Sequence, residues 1–235
     1  MTITFDAVTL NTTNNVADFT QSHGGAGSGV KGALAFIPWR TASVDEIVGV
    51  TYGGATMTEV ALSPLINASG EVGGVSGWFL GSSVPQGTQT LAVDLIGSPA
   101  GAYQAVVLTL LAGANLEIED TSTVGPSTSL ANPSMSLTTG ASVTTFCAGC
   151  LFSGQNAPAS ITPGADYTAL GAGHDFGNQS ARGIRRTTNA SGGSVTLDWV
   201  QAADDAAGIG VAIKEASAAA PAMAPDYFSQ YGSFY

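Results

Sequence analysis

Basic residues are scarce in this chain: six lysines and arginines stand against 17 acidic residues, a net charge of −11. So few cations cannot neutralise a track of phosphates, and nucleic-acid binding is not expected. Cysteine is scarcer still. Cys147 and Cys150 provide no disulfide framework, which fits folding in a reducing compartment. Their spacing is that of half a metal site, and no second Cys or His pair completes it. In an extended strand, side chains three positions apart leave opposite faces, which opposes a bond between them. We expect packed free thiols and no metal or other cofactor. No apolar run reaches the roughly 18 residues that span a bilayer, so membrane insertion is not expected. The opening Met-Thr-Ile-Thr-Phe-Asp lacks a basic segment followed by an apolar one, so no signal peptide is expected and synthesis in a cytoplasm is.

What is abundant is glycine, 31 residues, within a composition that is 44% hydrophobic and 10% charged. Glycine, small and β-branched residues suit short strands and many turns, whereas long helices want more Leu, Glu, Lys and Arg. The clearest local signal spans 48–60, where apolar and β-branched residues alternate around Gly53-Gly54. Two glycines supply positive φ without a Cβ clash, so this reads as a hairpin with Val48, Val50 and Tyr52 on one face. Further strands are predicted at 3–8, 16–22, 32–39, 75–80, 88–96 and 103–111. Pro38 is expected to end pairing in its strand. His23 to Gly29 lacks the Gly-Lys-Ser/Thr ending of a phosphate loop and reads as a connection. The stretch 117–133 has no sustained period and reads as a crossing loop, with Glu117 and Glu119 as surface charge. Strands resume at 134–137, 143–152, 167–170, 179–187, 194–201 and 208–214. So many short strands at turn spacing predict an all-β, antiparallel, jelly-roll-like β-sandwich as one domain over 1–215. Residues 216–235 form an Ala/Pro linker and an extended C-terminal tail with five aromatics in its last ten residues. Met223, Tyr227, Phe228, Tyr231, Phe234 and Tyr235 are the expected docking side chains of that tail.

Ile3 to Ala7 (Ile-x-Phe-Asp-Ala), Ser22 to Ser28 (Ser-His-x-x-Gly-x-Gly-Ser), 33–37 and Val50 to Thr58 (Val-Thr-Tyr-Gly-Gly-x-x-Met-Thr) follow one another in a recognisable order. So do Trp78 to Leu80, Pro85 to Thr88 and Val211 to Lys214. Over residues 2–215 the chain resembles a phage and bacterial β-sandwich module. That resemblance transfers no catalytic residues. It implies a virion structural protein, a head decoration, spike or tail component of a phage or phage-like particle, with copies of itself and other virion proteins as partners.

Arg182, Arg185 and Arg186 hold half of the basic residues; in a strand Arg182 and Arg186 share one face and Arg185 takes the other, so pairing with carboxylates, within the chain or between subunits, is favoured over a single anion clamp. His174-Asp175 has the form of a base with its orienting acid but no nucleophile elbow, and reads as a polar loop pair. Asp204-Asp205 reads as a solvated turn. Trp78 and Trp199 fit the core, while Trp39, at a strand end, is the expected exposed aromatic for a host surface glycan. A non-enzymatic, oligomeric virion protein is therefore the expectation, with a host-glycan adhesin as the alternative and a secreted sandwich-fold glycosidase or lyase ranked last.

Overall fold

The computed structural model describes residues 2–25, 27–41, 45–64, 66–68, 71–141, 144–154, 157–177 and 179–217. Its strands run, in chain order, β1 (Thr4–Asn15), β2 (Phe19–His23), β3 (Val30–Arg40), β4 (Ile47–Tyr52), β5 (Ala55–Thr56), β6 (Thr58–Leu62), β7 (Ile66–Ala68), β8 (Glu71–Leu80), β9 (Gln89–Leu95) and β10 (Ala102–Leu111). They continue with β11 (Leu116–Leu130), β12 (Ser134–Thr139), β13 (Phe146–Ser153), β14 (Thr162–Pro163), β15 (Tyr167–Ala169), β16 (His174–Asp175), β17 (Ser180–Arg186), β18 (Gly193–Val200) and β19 (Asp204–Glu215). All ladders between them are antiparallel. The docking residues expected from Met223 to Tyr235 lie outside the described residues.

The all-β sandwich holds, with an elaboration: four sheets lie in succession. The first large sheet runs β1-β10-β3-β8-β6, and the small sheet β2-β9-β4-β5 covers one of its faces. The second large sheet runs β11-β19-β13-β17-β15, covered on one face by β12-β18-β14. The two large sheets then pack against each other, with Leu34, Phe36, Val106 and Leu108 meeting Cys150, Phe152, Ile209 and Val211. Alternate residues of the same strands point outward: Ala35, Ile37 and Val107 meet Val50, Leu91 and Val93 of the first small sheet, and Cys147, Leu151 and Ala212 meet Leu137, Leu197 and Trp199 of the second. Strands buried on both faces must be apolar on both, which is why β3, β10, β13 and β19 read as nearly continuous apolar runs. The small sheets bury one face, so β12 alternates, with Met135, Leu137 and Thr139 inward and Ser134, Ser136 and Thr138 outward. Each fully buried aliphatic side chain contributes about 1.5–3 kcal/mol.

The strand orders show more than layers. Replacing β1, β2, β3, β4, β8, β9 and β10 by β11, β12, β13, β14, β17, β18 and β19 converts the first pair of sheets into the second. Each half winds alternately between its large and small sheet in jelly-roll fashion, and the two large sheets meet back to back. The correspondence reaches single residues. A bulge interrupts β1 between Phe5 and Ala7 and β11 between Ile118 and Asp120, which makes Asp6 and Glu119 counterparts. Through the ladders, Phe36 corresponds to Cys150 and Gly77 to Gly183.

Several expectations are corrected. Residues 117–133 are not a crossing loop: β11 runs through most of them, paired along β19 with three register shifts that bend it to its partner. Pro38 does not end β3. It lies opposite Val75 and pairing with β8 continues to Arg40. Val48 leaves the face of Val50 and Tyr52 because a bulge falls between Ile47 and Gly49, and it is 68% exposed. The Gly53-Gly54 turn is real, with φ of 57° and 81°, as a primed turn requires. Its second strand lasts two residues before Thr58 crosses to pair with β8, so this hairpin is the corner at which the chain changes sheet.

Candidate functional site

The arginine segment forms one wall of a groove. At the end of β17, Arg185, Arg186 and residues 187–189 face the chain's first residues, with Phe5 and Phe146 between them, around a volume of about 460 Å³. The Arg185 guanidinium lies 4.2 Å above the centre of the Phe5 ring, a cation–π contact, and donates to the Arg186 carbonyl at 3.4 Å. The Asn189 amide donates to the Ile3 carbonyl at 2.6 Å, which ties the two walls together. Burial lowers the pKa of Arg185, yet the guanidinium stays charged at any ordinary pH.

The arginines do not pair with carboxylates among the described residues. Among the described residues, the ion pairs belong to Lys214, with Glu117 at 3.6 Å and Glu119 at 3.8 Å. Arg182 donates instead to the Ala172 carbonyl. The groove therefore presents positive charge in a strongly acidic protein.

The duplicated fold shows how the equivalent crossing, on the other side of the contact between halves, is closed. The counterpart of Ile3 is Leu116, whose amide donates to the Gly81 carbonyl at 2.8 Å. There the facing residues are Gly32 and Gly81: a Cβ on Gly32 would come within 2.8 Å of Leu116 Cδ1, and one on Gly81 within 2.0 Å of the Leu116 carbonyl oxygen. Leu116 fills the space those glycines leave. In the other half the ladder places Phe146 and Thr187 at the corresponding positions, and the approach stays open.

The other candidates are spent on the interior. Trp39 is not exposed: both faces of β3 are covered, and its ring is 0% accessible, stacked on Tyr103 with centroids 6.1 Å apart. It offers no platform to a glycan. Trp78 and Trp199 are core residues as expected. Cys147 and Cys150 are free, buried and in different cores; burial pushes Cys147 up to about 12 and raises Cys150 as well, so neither is a reactive thiolate at neutral pH.

Asp204-Asp205 is not a solvated turn. Both residues are buried at the start of β19, where Ser153 donates to Asp204 Oδ2 at 2.5 Å and the Gly154 amide to the Asp205 carbonyl at 2.8 Å. His174 is likewise no loop residue. It sits in β16, 1% exposed, and hydrogen-bonds through Nδ1 to Gln104 Oε1 at 2.9 Å. Gln104 passes the link on, donating to Asn14 Oδ1 at 2.7 Å and to the Asp175 carbonyl at 2.8 Å. This chain of bonds joins β16 of the second half to β10 and β1 of the first. Burial, with the Arg182 charge adding to it against the Asn11 backbone, lowers His174 to about 4.

A second buried polar relay went unread in the sequence. Thr109 donates to Asp6 Oδ2 at 2.9 Å, and His23 lies 3.1 Å from Thr109 Oγ1 through Nε2 and 2.9 Å from Thr9 Oγ1 through Nδ1. Since the Thr109 proton goes to Asp6, the neutral ring carries its hydrogen on Nε2 and accepts from Thr9 on Nδ1. Burial lowers the pKa of His23, against the pull of Asp6. The order carboxylate–hydroxyl–imidazole is that of a stitch between β1, β10 and β2, with the hydroxyl in the middle and 0% exposed. In the second half Glu119, the counterpart of Asp6, accepts from the Gly140 amide at 2.9 Å and Thr145 Oγ1 at 2.7 Å. An acid at the bulge thus fastens the first strand to its surroundings twice over, and Glu119 is more than surface charge. The one sequence signal available was the presence of an acid at both positions.

Among the described residues, no group of three His, Cys, Asp or Glu side chains could hold a metal ion, and no helix is long and apolar enough to cross a membrane. No family model matches the chain, and no curated protein or solved structure matches it either.

Proposed function

We propose that this chain is a non-enzymatic structural protein of a phage or phage-like particle, a head decoration, spike or tail component that assembles with copies of itself and with other virion proteins. The observation that carries the reading is the use made of reactive groups. Both histidines and both thiols are buried, and two of the buried acids, Glu46 and Asp204, are engaged with backbone amides or hydroxyls. A chain that commits its few polar reactive groups to fastening strands is built as a rigid body. The sequence resemblance supplies the setting, and the aromatic tail supplies the means of attachment: apolar side chains on a small-residue linker reach a neighbour at modest ordering cost. The host-glycan alternative loses Trp39 as its contact.

Deleting residues 218–235 tests the proposal. The truncated chain is expected to keep its thermal unfolding transition and to be missing from purified particles; normal incorporation would refute the attachment mechanism.

A further inference from the structure

We propose that the groove beside Arg185 receives the aromatic C-terminal segment of this chain, residues 226–235. The inference rests on the reading that this segment is the docking element, and it names where the segment binds. Geometry is the first argument. β19 leads into the tail, and its neighbours in the sheet are β13 and then β17. Phe146, which lines the groove, lies opposite Ile213 near the end of β19. Adjacent strands are about 4.8 Å apart and rise about 3.3 Å per residue, so Glu215, three residues beyond the level of Arg186, lies roughly 14 Å from the end of β17. Residues 218–225 alone can span up to about 26 Å when extended, ample for this distance.

Chemistry is the second argument. The groove offers a guanidinium stacked on Phe5 and without an ion pair among the described residues. The segment carries one acid, Asp226, followed by Tyr227, Phe228, Tyr231, Phe234 and Tyr235. A carboxylate pairs with a guanidinium, and aromatic rings stack on its plane. The groove is also open where its twin is not. Its counterpart across the contact between halves is closed by Leu116 against Gly32 and Gly81, so this is the open member of an otherwise matched pair.

The test uses the full chain carrying Thr188→Cys and Ser229→Cys, oxidised mildly with glutathione disulfide and followed by non-reducing electrophoresis and peptide mass spectrometry. The native thiols stay silent because both are buried with raised pKa. A control chain moves the first cysteine to Thr20→Cys, exposed on the small sheet of the first half. About tenfold more bond is expected in the groove pair than in the control, the effective-concentration signature of a docked segment. A bond within one chain identifies its own tail as occupant, a bond between chains a neighbour's, and both support the proposal. Adding Arg185→Glu, or Asp226→Asn if that variant misfolds, should remove most of the excess. Equal bonding in groove and control overturns the inference. Failure here with tail-dependent incorporation intact leaves the docking reading standing with a different receptor surface; bonding here with normal incorporation of the truncated chain removes the particle role and keeps the groove.

Discussion

Acid should loosen this protein through His174, and the size of the effect follows from its surroundings. The ring is buried where β16 meets β10, Nδ1 is committed to Gln104, and the folded-state pKa falls from 6.5 to about 4. Above pH 6.5 the imidazole is neutral in both states and costs nothing. As pH falls, the unfolded chain takes up a proton that the folded one refuses until about pH 4, so the stability present at neutral pH is lost by about 1.4 kcal/mol per pH unit. Across the whole window the loss is about 3 kcal/mol.

Other groups titrate in the same range. Asp45 is raised by burial to about 6, and a carboxyl raised on folding favours the folded state at low pH, which opposes the His174 effect. The clean measurement is therefore a difference. Urea unfolding of wild type and His174→Asn is followed from pH 7 to pH 4, the asparagine amide nitrogen standing in for Nδ1 as donor to Gln104. Asp45 and His23 cancel between the two proteins. The wild type should lose about 3 kcal/mol more than the variant over that window. Parallel curves, constant to within about 0.5 kcal/mol, would refute the claim that His174 is held neutral at the contact between halves.

Two further outcomes bear on the fold itself. Gly81→Ala places a Cβ 2.0 Å from the Leu116 carbonyl oxygen, a backbone clash at the closed crossing, and should cost about 2–3 kcal/mol in thermal unfolding; Gly97→Ala, with nothing within 4 Å, should be neutral, and equal behaviour of the two would refute the packing argument. Cutting the chain at Gly113, between β10 and β11, separates the two jelly rolls without breaking either set of ladders, so the co-expressed pieces should reassemble one to one, and isolated pieces that never associate would count against the duplication as a physical unit.

Most of the strands were legible because their burial is written in their residues. The alternation of β12 and the apolar runs of β3 and β10 follow from one covered face and from two. β11 was not legible. It is a long edge strand with three register shifts, and each shift turns the side-chain pattern over, so no period survives to be read. Trp39 misled for a related reason: position at a strand end beside a proline implies exposure only when the strand lies at a rim, and β3 is central in its sheet. The groove was half legible. The arginines stood out by scarcity, but the wall facing them comes from residues 2–5, and nothing local says that the first strand of one half crosses the third strand of the other.

The duplication escaped the sequence because the two halves obey the same constraints with different residues. At the centre of the contact, Phe36 in one half answers to Cys150 in the other; both are fully buried, and burial asks for apolar volume summed across the contact, not for a particular side chain. Where space beside the backbone is the constraint, identity persists: Gly77 and Gly183 correspond because neighbouring side chains leave little room, Ile209 Cδ1 lying 2.9 Å from a Cβ on the first and Leu170 Cβ 3.2 Å from one on the second. Bulge acids persist in charge and change in length, since Asp6 reaches a hydroxyl on the next strand and Glu119 reaches past it to a loop amide. The same logic makes the departures informative. Gly32 and Gly81 against Phe146 and Thr187 is a difference at a place where the fold demands that two crossings be equivalent, and its consequence is that one crossing closes on itself while the other is left with an arginine-lined opening.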